Sequence, residues 1–308
     1  MLREGLGALQ EDSALLSVFH NIEIAFHKNH MNQPSTRPPA HDSAKEKDGS
    51  GDEVTALARG LTVLRRIAAA DAPLSNRELT ELTGIPKPTV SRITATLVSA
   101  GFLFRLPDSE RFVLTSSVLE LSNGFLRNFD IRARSRPFLI ELAERTSLSV
   151  HLAVRDRLDM VVIDAIKPRS AVLVSRLDVG SRMDLTRTAV GRAYLVALTE
   201  TDRQNLLTGL QAAAGDDWGH ISSRLDAAMR ETAAQGFAIA TGEWHEGLNA
   251  IAAGFIGPSG ERYAVNCGGS AHQCPRDWLV SRAAPALLET IDRIVHEIGG
   301  TPGRRLDD

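Results

Sequence analysis

The sequence predicts an α+β protein with two domains. Its 308 residues, of which 43% are hydrophobic, suffice for two domains that each bury a core. Residues 54–115 show three helical patterns followed by two short extended runs, whereas residues 149–267 show several extended runs among helices. Strands joined by a hairpin, with helices at either end, are typical of an α+β domain with a mostly antiparallel sheet.

Charge and cysteine content narrow the possible function classes. The net charge is −3, so any surface for nucleic acid must be a local patch. Cys267 and Cys274 are the two cysteines, which argues against a secreted disulfide scaffold. No run approaches the roughly 18 apolar residues of a membrane span, and the acids near the N-terminus do not fit a signal peptide. We therefore expect a cytoplasmic protein without a membrane partner.

The chain divides where its composition changes. Residues 31–53 are rich in Pro, Ser, Gly and charge and contain almost nothing to bury, which predicts a disordered linker. Periodic structure begins at Val54. The predicted segments are a disordered or weakly structured extension over 1–53, a first domain over 54–116, a linker helix over 117–129, a second domain over 130–300 and a disordered tail over 301–308.

The first helix of the first domain is predicted from its apolar spacing. The repeat ends at a break over residues 71–73. The apolar positions of this helix are Leu57, Leu61, Leu64 and Ile67.

Two further helices and a hairpin follow. Ser75 is a good N-cap with Glu78 as its capping-box partner, and Gly84 ends that second helix. Pro88 fits the first turn of a third helix that ends at 100–101. The runs FLFRL and RFVLT flank the turn PDSE and predict a β-hairpin. This order of elements is that of a winged helix-turn-helix, which places its third helix in the major groove of DNA.

The third helix, within PKPTVSRITATL, has an unusual polar face. Val90, Ile93 and Leu97 fall at helical spacing, and the remaining positions, Thr94 among them, supply hydroxyls and cations but no carboxylate. Phosphates would repel carboxylates there, whereas hydroxyls and cations bond phosphate oxygens and base edges. The predicted DNA contacts are Arg59, Asn76, Lys87, Thr89, Ser91, Arg92, Arg105 and Arg111. The alternatives are a merely solvated helix face and a three-helix module that binds another protein.

The second domain is predicted to mix helices and strands. Residues 117–145 supply the linker helix and a first helix, and strands follow at 149–154, 160–166 and 172–177. The segment TAVGRAYLVAL predicts a helix with Thr188 as N-cap and Gly191 allowing a close approach. The later elements are helices at DRQNLL, at 218–235 and at 277–298, and strands at FAIAT, LNAIAAGFI and RYAVNC.

Several separated blocks resemble the IclR family of bacterial transcription regulators, from about Thr55 to about Glu297. They are the first-domain block with Gly-Ile-Pro-Lys before Thr89 and Arg92, and the blocks MDLTRTAVGRAYLVAL, GFAIATGEWHEGLNAIAAGF and AVNCGG. The resemblance implies a DNA-binding regulator with a GAF-like effector domain, in which helices flank the sheet. It also implies a homodimer, with dimers pairing into tetramers, and two DNA-binding heads that read an inverted-repeat operator.

Some positions depart from the family pattern. Asp184-Leu185 replaces a common Pro before the pocket helix, and Gly254-Phe255 replaces a frequent Pro in a late strand. Ala250, Asn266 and Gly268 stand where some members carry Ser or Cys. These differences leave the identity of the effector open.

We expect the sheet and the helix after Thr188 to enclose an effector pocket. A helix N-terminus offers N–H groups and a positive dipole end, so a small organic acid, as its carboxylate, fits there. Met183 and Leu185 are predicted to close over it, and Glu243 to contact a polar group of the ligand. The full predicted set is Met183, Leu185, Thr188, Ala189, Val190, Gly191, Glu243, Asn249, Ala250, Asn266, Cys267 and Gly268.

Catalytic and metal chemistry find little support in the sequence. Cys267, His272 and Cys274 provide only three of the four ligands of a structural zinc site. The segment GPSG predicts a turn, and His151 is interpreted as a packed core residue. We therefore predict no cofactor, metal or catalytic residue. The competing hypotheses are an enzyme that uses the same pocket, which requires His, Asp and Ser within hydrogen-bond reach, and a protein-binding adaptor.

Overall fold

The computed structural model describes residues 55–107, 109–127, 129–168 and 177–303. These residues form two compact units that divide between residues 128 and 129. The predicted extension over 1–53 and most of the predicted strand over 172–177 lie outside the described residues. Among the described helices, none combines the length and the hydropathy that crossing a membrane requires.

The first unit has the predicted winged helix-turn-helix order. β1 and β2 pair antiparallel, and Leu74 adds a bridge to Phe112 at the end of this hairpin. The elements of the unit are α1 (Thr55–Ala68), α2 (Asn76–Thr83), α3 (Lys87–Ser99), β1 (Leu103–Arg105), β2 (Phe112–Leu114) and α4 (Ser117–Leu126). Helix α4 ends at Leu126, three residues before the predicted end of the linker helix at 129.

The caps of α2 are those that the sequence predicts. The Ser75 hydroxyl accepts from the Glu78 backbone N–H at 3.3 Å, and the Glu78 carboxylate accepts from the Ser75 N–H at 2.8 Å. Gly84 ends the helix at φ 67°, a left-handed conformation that costs glycine little. The short turn that follows leads directly into α3 at Lys87.

The buried residues of the first unit differ from prediction in two places. Leu57 and Leu61 are 63% and 45% exposed, because the small core of the unit begins only at Val63. Thr94, predicted on the polar face of α3, is buried against α2 and donates to Asn76 Oδ1 at 2.9 Å. The core consists of Val63, Ile67, Leu79, Ile85, Val90, Leu103 and Phe112.

The second unit is a seven-stranded sheet with helices, and each described strand pair is antiparallel. The strand order is β5-β4-β3-β8-β7-β6, and β9 also pairs with β7. A π-helical turn over Leu279–Ala283 joins α9 to α10. The elements are α5 (Ile131–Thr146), β3 (Ser149–Asp156), β4 (Asp159–Ile166), β5 (Arg182–Asp184), α6 (Ala189–Val196), α7 (Glu200–Ala214), α8 (Trp218–Gln235), β6 (Ala238–Thr241), β7 (Leu248–Ile256), β8 (Arg262–Ser270), α9 (Arg276–Trp278), α10 (Ala284–Ile298) and β9 (Thr301–Pro302).

The start of the predicted disordered tail is ordered. Thr301 and Pro302 pair with Ile256 and Phe255. Gly300 permits this pairing, because a Cβ there would lie 2.3 Å from the Ile256 carbonyl oxygen. The prediction was therefore wrong for residues 301–302, and residues 304–308 lie outside the described part of the chain.

Two glycines bring α6 close to its neighbours. A Cβ on Gly191 would lie 2.2 Å from the Leu185 carbonyl oxygen, and a Cβ on Gly254 would lie 2.7 Å from the Ala193 carbonyl oxygen. Real Cβ atoms do not approach so closely, so both positions need glycine. The result is a helix held close to β7, with its N-terminus at the cavity described below.

Candidate functional site

The outer face of α3 carries unpaired positive charge. Lys87 and Arg92 are exposed, and neither forms an ion pair within the described residues. Thr89 and Ser91 are half-buried beside them, and the helix contains no carboxylate. A polyanion can approach this face without displacing an internal partner.

The other predicted DNA contacts differ in their surroundings. Arg59 is exposed on α1 and has no described ion-pair partner. Asn76 is half-buried, and its Oδ1 accepts from Thr94, so this amide connects α2 to α3. Arg105 pairs with Glu110 across the hairpin, where both side chains are exposed.

Arg111 is part of the internal structure of the first unit. Its Nη1 donates to the Pro73 carbonyl at 2.7 Å and to the two Glu78 carboxylate oxygens at 3.0 and 2.9 Å. Hydrogen bonds from the Ser75 hydroxyl and backbone, together with the Arg111 guanidinium, lower the pKa of Glu78 to about 2. The guanidinium thus completes the capping box of α2 from the hairpin, a contact across 33 residues that local patterns do not show.

The second unit contains a small cavity of about 50 Å³ beside the N-terminus of α6. Strands β3, β7 and β8 and the segment 242–247 supply most of its walls. Trp244 and His245 lie in that segment with their ring centroids 4.2 Å apart. The lining residues are His151, Leu177, Met183, Thr188, Ala189, Ala240, Glu243, Trp244, His245, Leu248, Asn249, Ala250, Asn266, Gly268 and Gly269.

Three polar side chains of this cavity have buried atoms without a partner in the described residues. They are both ring nitrogens of His151, the Oδ1 of Asn266 and the Nε2 of His245. None of these atoms has a described partner at ideal hydrogen-bond geometry, although the His151 imidazole interacts with the Asn266 side chain and the Leu177 backbone. Such atoms are rare in folded proteins, because a buried polar group without a hydrogen bond is costly. Their concentration around one cavity makes it the candidate site for a polar ligand.

The two histidines of the cavity are neutral near pH 7. Burial lowers the pKa of His151 to about 4. Burial, followed by the charge of Arg187, also lowers the pKa of His245. Each neutral imidazole offers one N–H donor and one acceptor nitrogen.

The N-terminus of α6 provides donors at the cavity. The Thr188 hydroxyl is committed to the helix cap, since it accepts from Gly191 N–H at 3.1 Å and donates to the Asp184 carbonyl at 2.6 Å. The N–H groups of Ala189 and Val190 have no acceptor among the described residues. Ala189 lines the cavity, so the positive end of the helix dipole lies at its wall.

A buried arginine neutralises the carboxylate at the cavity. Arg192 donates to the Ile239 carbonyl at 3.0 Å, to the Thr186 carbonyl at 3.1 Å and to both carboxylate oxygens of Glu243. Because Glu243 is paired, its charge does not exclude an anion from the cavity. Arg192 was not among the predicted pocket residues, although it lies within the GRA segment of the predicted pocket helix.

Four of the predicted pocket residues do not line the cavity. Leu185 and Val190 belong to the hydrophobic core, and Gly191 packs against the Leu185 backbone. Cys267 lies between two lining residues, Asn266 and Gly268, on β8, so its side chain points to the opposite face of the sheet. Burial there raises the pKa of its thiol to about 12. The predicted residues that do line the cavity are Met183, Thr188, Ala189, Glu243, Asn249, Ala250, Asn266 and Gly268.

Seven lining residues were not among those predicted. His151 was interpreted as core, and it is buried, but it also lines the cavity beside Asn266. A histidine in the otherwise apolar run SVHLAV is the signal that could have indicated it. The others are Leu177, Ala240, Trp244, His245, Leu248 and Gly269.

The cysteines have ordinary structural surroundings. Cys267 and Cys274 are buried thiols, whereas His272 is exposed. The side-chain amide of Asn249 donates to the Cys274 carbonyl at 3.0 Å, so this amide is already hydrogen-bonded to the backbone. Within the described ranges, no three His, Cys, Asp or Glu side chains are grouped to hold a metal ion.

Comparison with family models assigns both units. Residues 56–107 match the IclR helix-turn-helix domain, and residues 123–296 match the C-terminal domain of the bacterial transcriptional regulator IclR. The chain belongs to the IclR family of bacterial transcriptional regulators. The resemblance found in the sequence is thereby confirmed, and so is the predicted fold class.

Relatives of this IclR-family regulator cover most of its length. The HTH-type transcriptional regulator TsaQ1/TsaQ2 of Comamonas testosteroni is 33% identical over 256 residues, which cover 82% of this chain and 91% of that one. An IclR-family regulator structure from Brucella abortus is 35% identical with a TM-score of 0.68, covering 81% of this chain and 96% of the other. The family and these relatives are transcriptional regulators, so the prediction that the protein is not an enzyme is confirmed.

A second solved structure shares the fold of this IclR-family member at low identity. It is an IclR homologue from Microbacterium hydrocarbonoxydans, solved in complex with 4-hydroxybenzoate. The identity is 18% and the TM-score 0.63, and the match covers 79% of this chain and 99% of that one.

Proposed function

We propose that this regulator acts in the cytoplasm as a homodimer that binds an inverted-repeat operator through α3, and that a small organic acid in the second-unit cavity modulates this binding. The main support for the proposed DNA binding is the chemical character of the exposed face of α3. It combines hydroxyls with two cations that have no ion-pair partner in the described part of the chain, and the helix itself lacks carboxylates.

The surroundings of the cations divide the predicted contacts into two groups. Lys87 and Arg92 lie on the helix that this fold places in the major groove, where an arginine can bond a guanine edge in bidentate fashion. Arg59 remains a candidate for phosphate contact. Arg111 is engaged by Glu78 and Pro73, so we assign it a structural role rather than a role in DNA binding.

The effector half of the proposal depends on the α6 N-terminus and on the neutral cavity wall. The free N–H groups of Ala189 and Val190 and the pairing of Glu243 with Arg192 suit a carboxylate. The complex of the Microbacterium relative with 4-hydroxybenzoate supports an acid of this class.

The segment 242–247 forms the part of the wall that we expect to move. The cavity holds about 50 Å³, whereas sites for small molecules usually hold about 300 Å³ or more. Gly242 and Gly247 bracket Trp244 and His245 with φ of 68° and 79°. We propose that rotation at these two glycines admits the acid. The bound acid then stabilises the arrangement of the two DNA-binding heads in which the segment 242–247 is open.

Fluorescence anisotropy tests the DNA-binding half. A duplex selected from a random library serves as operator, and full-length Arg92→Ala is compared with wild type. We expect a loss of about 1–3 kcal/mol, or roughly fivefold to 150-fold in affinity, for a lost bidentate base contact. Arg224→Ala removes an equal charge from an exposed site on α8 and should bind normally. Equal affinities for the two variants would remove Arg92 from the reading surface.

The same titration tests the effector half. Aromatic and aliphatic carboxylates are added to the wild-type complex, and binding to the free protein is measured by calorimetry. At least one acid should bind and shift the operator affinity. A panel in which no acid binds would reject the effector assignment while leaving the DNA-binding result intact.

A further inference from the structure

We propose that a second cavity of the second unit binds a phosphate monoester, at a place distinct from the effector cavity. It holds about 420 Å³ and lies where the hairpin of β3 and β4, the C-terminal end of α6 and helix α7 meet. We name it the arginine cavity, and its lining residues are Arg155, Arg157, Leu158, Tyr194, Leu198, Asp202, Asn205, Leu206, Gly209 and Arg262. The two cavities share no lining residue among those described, so this inference does not depend on the effector assignment.

The lining of the arginine cavity is positively charged. Its guanidinium groups are those of Arg155, Arg157 and Arg262, and its carboxylate is that of Asp202. Arg262 contacts this carboxylate at 3.3 Å, whereas Arg155 and Arg157 form no ion pair within the described ranges. The described lining therefore carries a formal excess of two positive charges. A ligand with two negative charges would neutralise this excess, and a monocarboxylate would not.

The guanidinium of Arg155 is held in place by uncharged groups. Its Nε donates to the Tyr194 hydroxyl oxygen at 3.3 Å, and its Nη1 donates to the Arg157 carbonyl at 2.8 Å. These contacts orient the guanidinium without neutralising its charge. Its Nη2 and the guanidinium of Arg157 have no hydrogen-bond partner in the described part of the chain, so both are available to an anion.

Tyr194 adds a hydroxyl donor at the same place. The residue is 6% exposed, and its ring belongs to the hydrophobic core. Because its oxygen already accepts from Arg155, its proton is left for a ligand, and the described residues supply no acceptor for it. A guanidinium and a hydroxyl thus present donors side by side, on a side chain that the core holds rigidly.

The floor of the arginine cavity is apolar. Leu158, Leu198 and Leu206 line it beside the charged groups. Gly209 lies inside α7, where glycine is destabilising relative to alanine, and a Cβ there would press on Leu158 Cδ2 at 3.3 Å. Sites for small molecules usually hold about 300–1,000 Å³, and the arginine cavity falls in that range. The cavity therefore has room for an organic group as well as an anion.

A phosphate monoester combines the features that this lining requires. Its three terminal oxygens accept hydrogen bonds, and it carries close to two negative charges above about pH 7. The guanidinium fork matches phosphate oxygens in bidentate fashion. We expect the phosphate to lie against Arg155, Arg157 and Tyr194, and the organic group to lie on the leucine floor.

Calorimetry on the full-length protein at about pH 8 tests the site, since a monoester is then a dianion. Phenyl phosphate is the probe, and benzenesulfonate has the same ring and a similar tetrahedral head group but a single negative charge. We expect phenyl phosphate to bind roughly tenfold more tightly than benzenesulfonate or better, because it matches the charge of the lining. It should also bind more tightly than inorganic phosphate, because its ring buries apolar surface on the floor.

Variants locate the binding. Arg155→Gln and Arg157→Gln should each weaken phenyl phosphate roughly tenfold or more, since each removes charge-assisted hydrogen bonds. Tyr194→Phe should weaken it by a smaller factor, because it removes a neutral donor and keeps the ring. Arg224→Gln removes an equal charge from an exposed site on α8 and should bind like wild type. Arg92→Ala should also bind like wild type, which separates this cavity from the DNA-binding face.

Several outcomes would overturn the proposal. A protein that does not bind phenyl phosphate has no such site. Equal affinity for benzenesulfonate would reject selection of a dianion, and equal affinity for inorganic phosphate would reject the ester. Binding that survives both Arg155→Gln and Arg157→Gln would place the ligand elsewhere. If Arg155→Gln does not fold, Arg157→Gln decides, because Arg157 is exposed and its side chain has no described partner to lose. None of these results bears on the binding of carboxylic acids in the effector cavity.

Discussion

Glu78 joins two elements of the first unit that lie far apart in the sequence. It caps α2 through the Ser75 N–H and receives Arg111 from the hairpin. The capping box alone was predictable, because Ser and Glu three residues apart are a local pattern. The partnership with Arg111 was not, since it arises only when the hairpin folds back beside α2.

The pKa of Glu78 predicts how the first unit responds to acid. Its value of about 2 lies below the ordinary value of 4.5, so ionised Glu78 stabilises the folded state above about pH 4.5. That contribution is lost as the pH falls through about 2. Glu78→Gln should therefore increase hydrogen exchange of the α2 amides at pH 7, with the difference from wild type shrinking between pH 4.5 and 2.

A matched variant controls for the general effect of acid. Glu81→Gln changes an exposed carboxylate of the same helix, whose ion pair within the described ranges is with exposed Arg77. Its exchange should follow wild type at each pH. A difference between wild type and Glu78→Gln that stays constant down to pH 2 would contradict the assignment.

Helix α6 shows what a single element contributes to the cavity. Thr188 caps it, Gly191 brings it against the Leu185 backbone, and Arg192 attaches it to the segment 242–247 through Glu243. The cap and the need for glycine were predicted from the sequence. In the structure, Val190 faces the core and Ala189 faces the cavity. This difference depends on how the helix is rotated against the sheet, and the residues of the helix alone do not specify that rotation.

Gly191→Ala tests the close approach of α6. The added Cβ would meet the Leu185 carbonyl oxygen at 2.2 Å, so backbone must shift. We expect a loss of about 1–3 kcal/mol in the free energy of unfolding, measured with urea. Gly219→Ala is the control, because α8 has open space there and alanine should stabilise the protein by about 0.5–1 kcal/mol. Equal stability of the two variants would show that α6 is not held at this distance.

At the scale of the whole molecule, exposed leucines of the first unit are candidates for the interface of the proposed homodimer. Leu57 and Leu61 on α1 and Leu121 on α4 are 63%, 45% and 65% exposed. An interface between two copies would bury such residues. Two DNA-binding heads held together in this way are what an inverted repeat requires.

Leu61→Asp tests this surface against a matched exposed leucine. A buried aspartate at the interface should raise the dissociation constant of the dimer at least tenfold in sedimentation equilibrium. Leu82→Asp alters a leucine on α2 that is 49% exposed, close to the 45% of Leu61, and should leave association unchanged. If both variants associate like wild type, the interface lies elsewhere.

The sequence by itself determined the order of the elements, their caps and the family. Ser75, Gly84, Thr188 and Gly191 act through neighbouring backbone, and such local signals can be read without a fold. Asn266 and Cys267 were both predicted to line the pocket, although the alternation of side chains along β8 places them on opposite faces of the sheet. Only the tertiary structure decided that His151 meets Asn266, that Arg192 neutralises Glu243 and that Arg111 belongs to the capping box. Each of these contacts joins residues from separate elements, and the register and packing that bring them together depend on the whole chain.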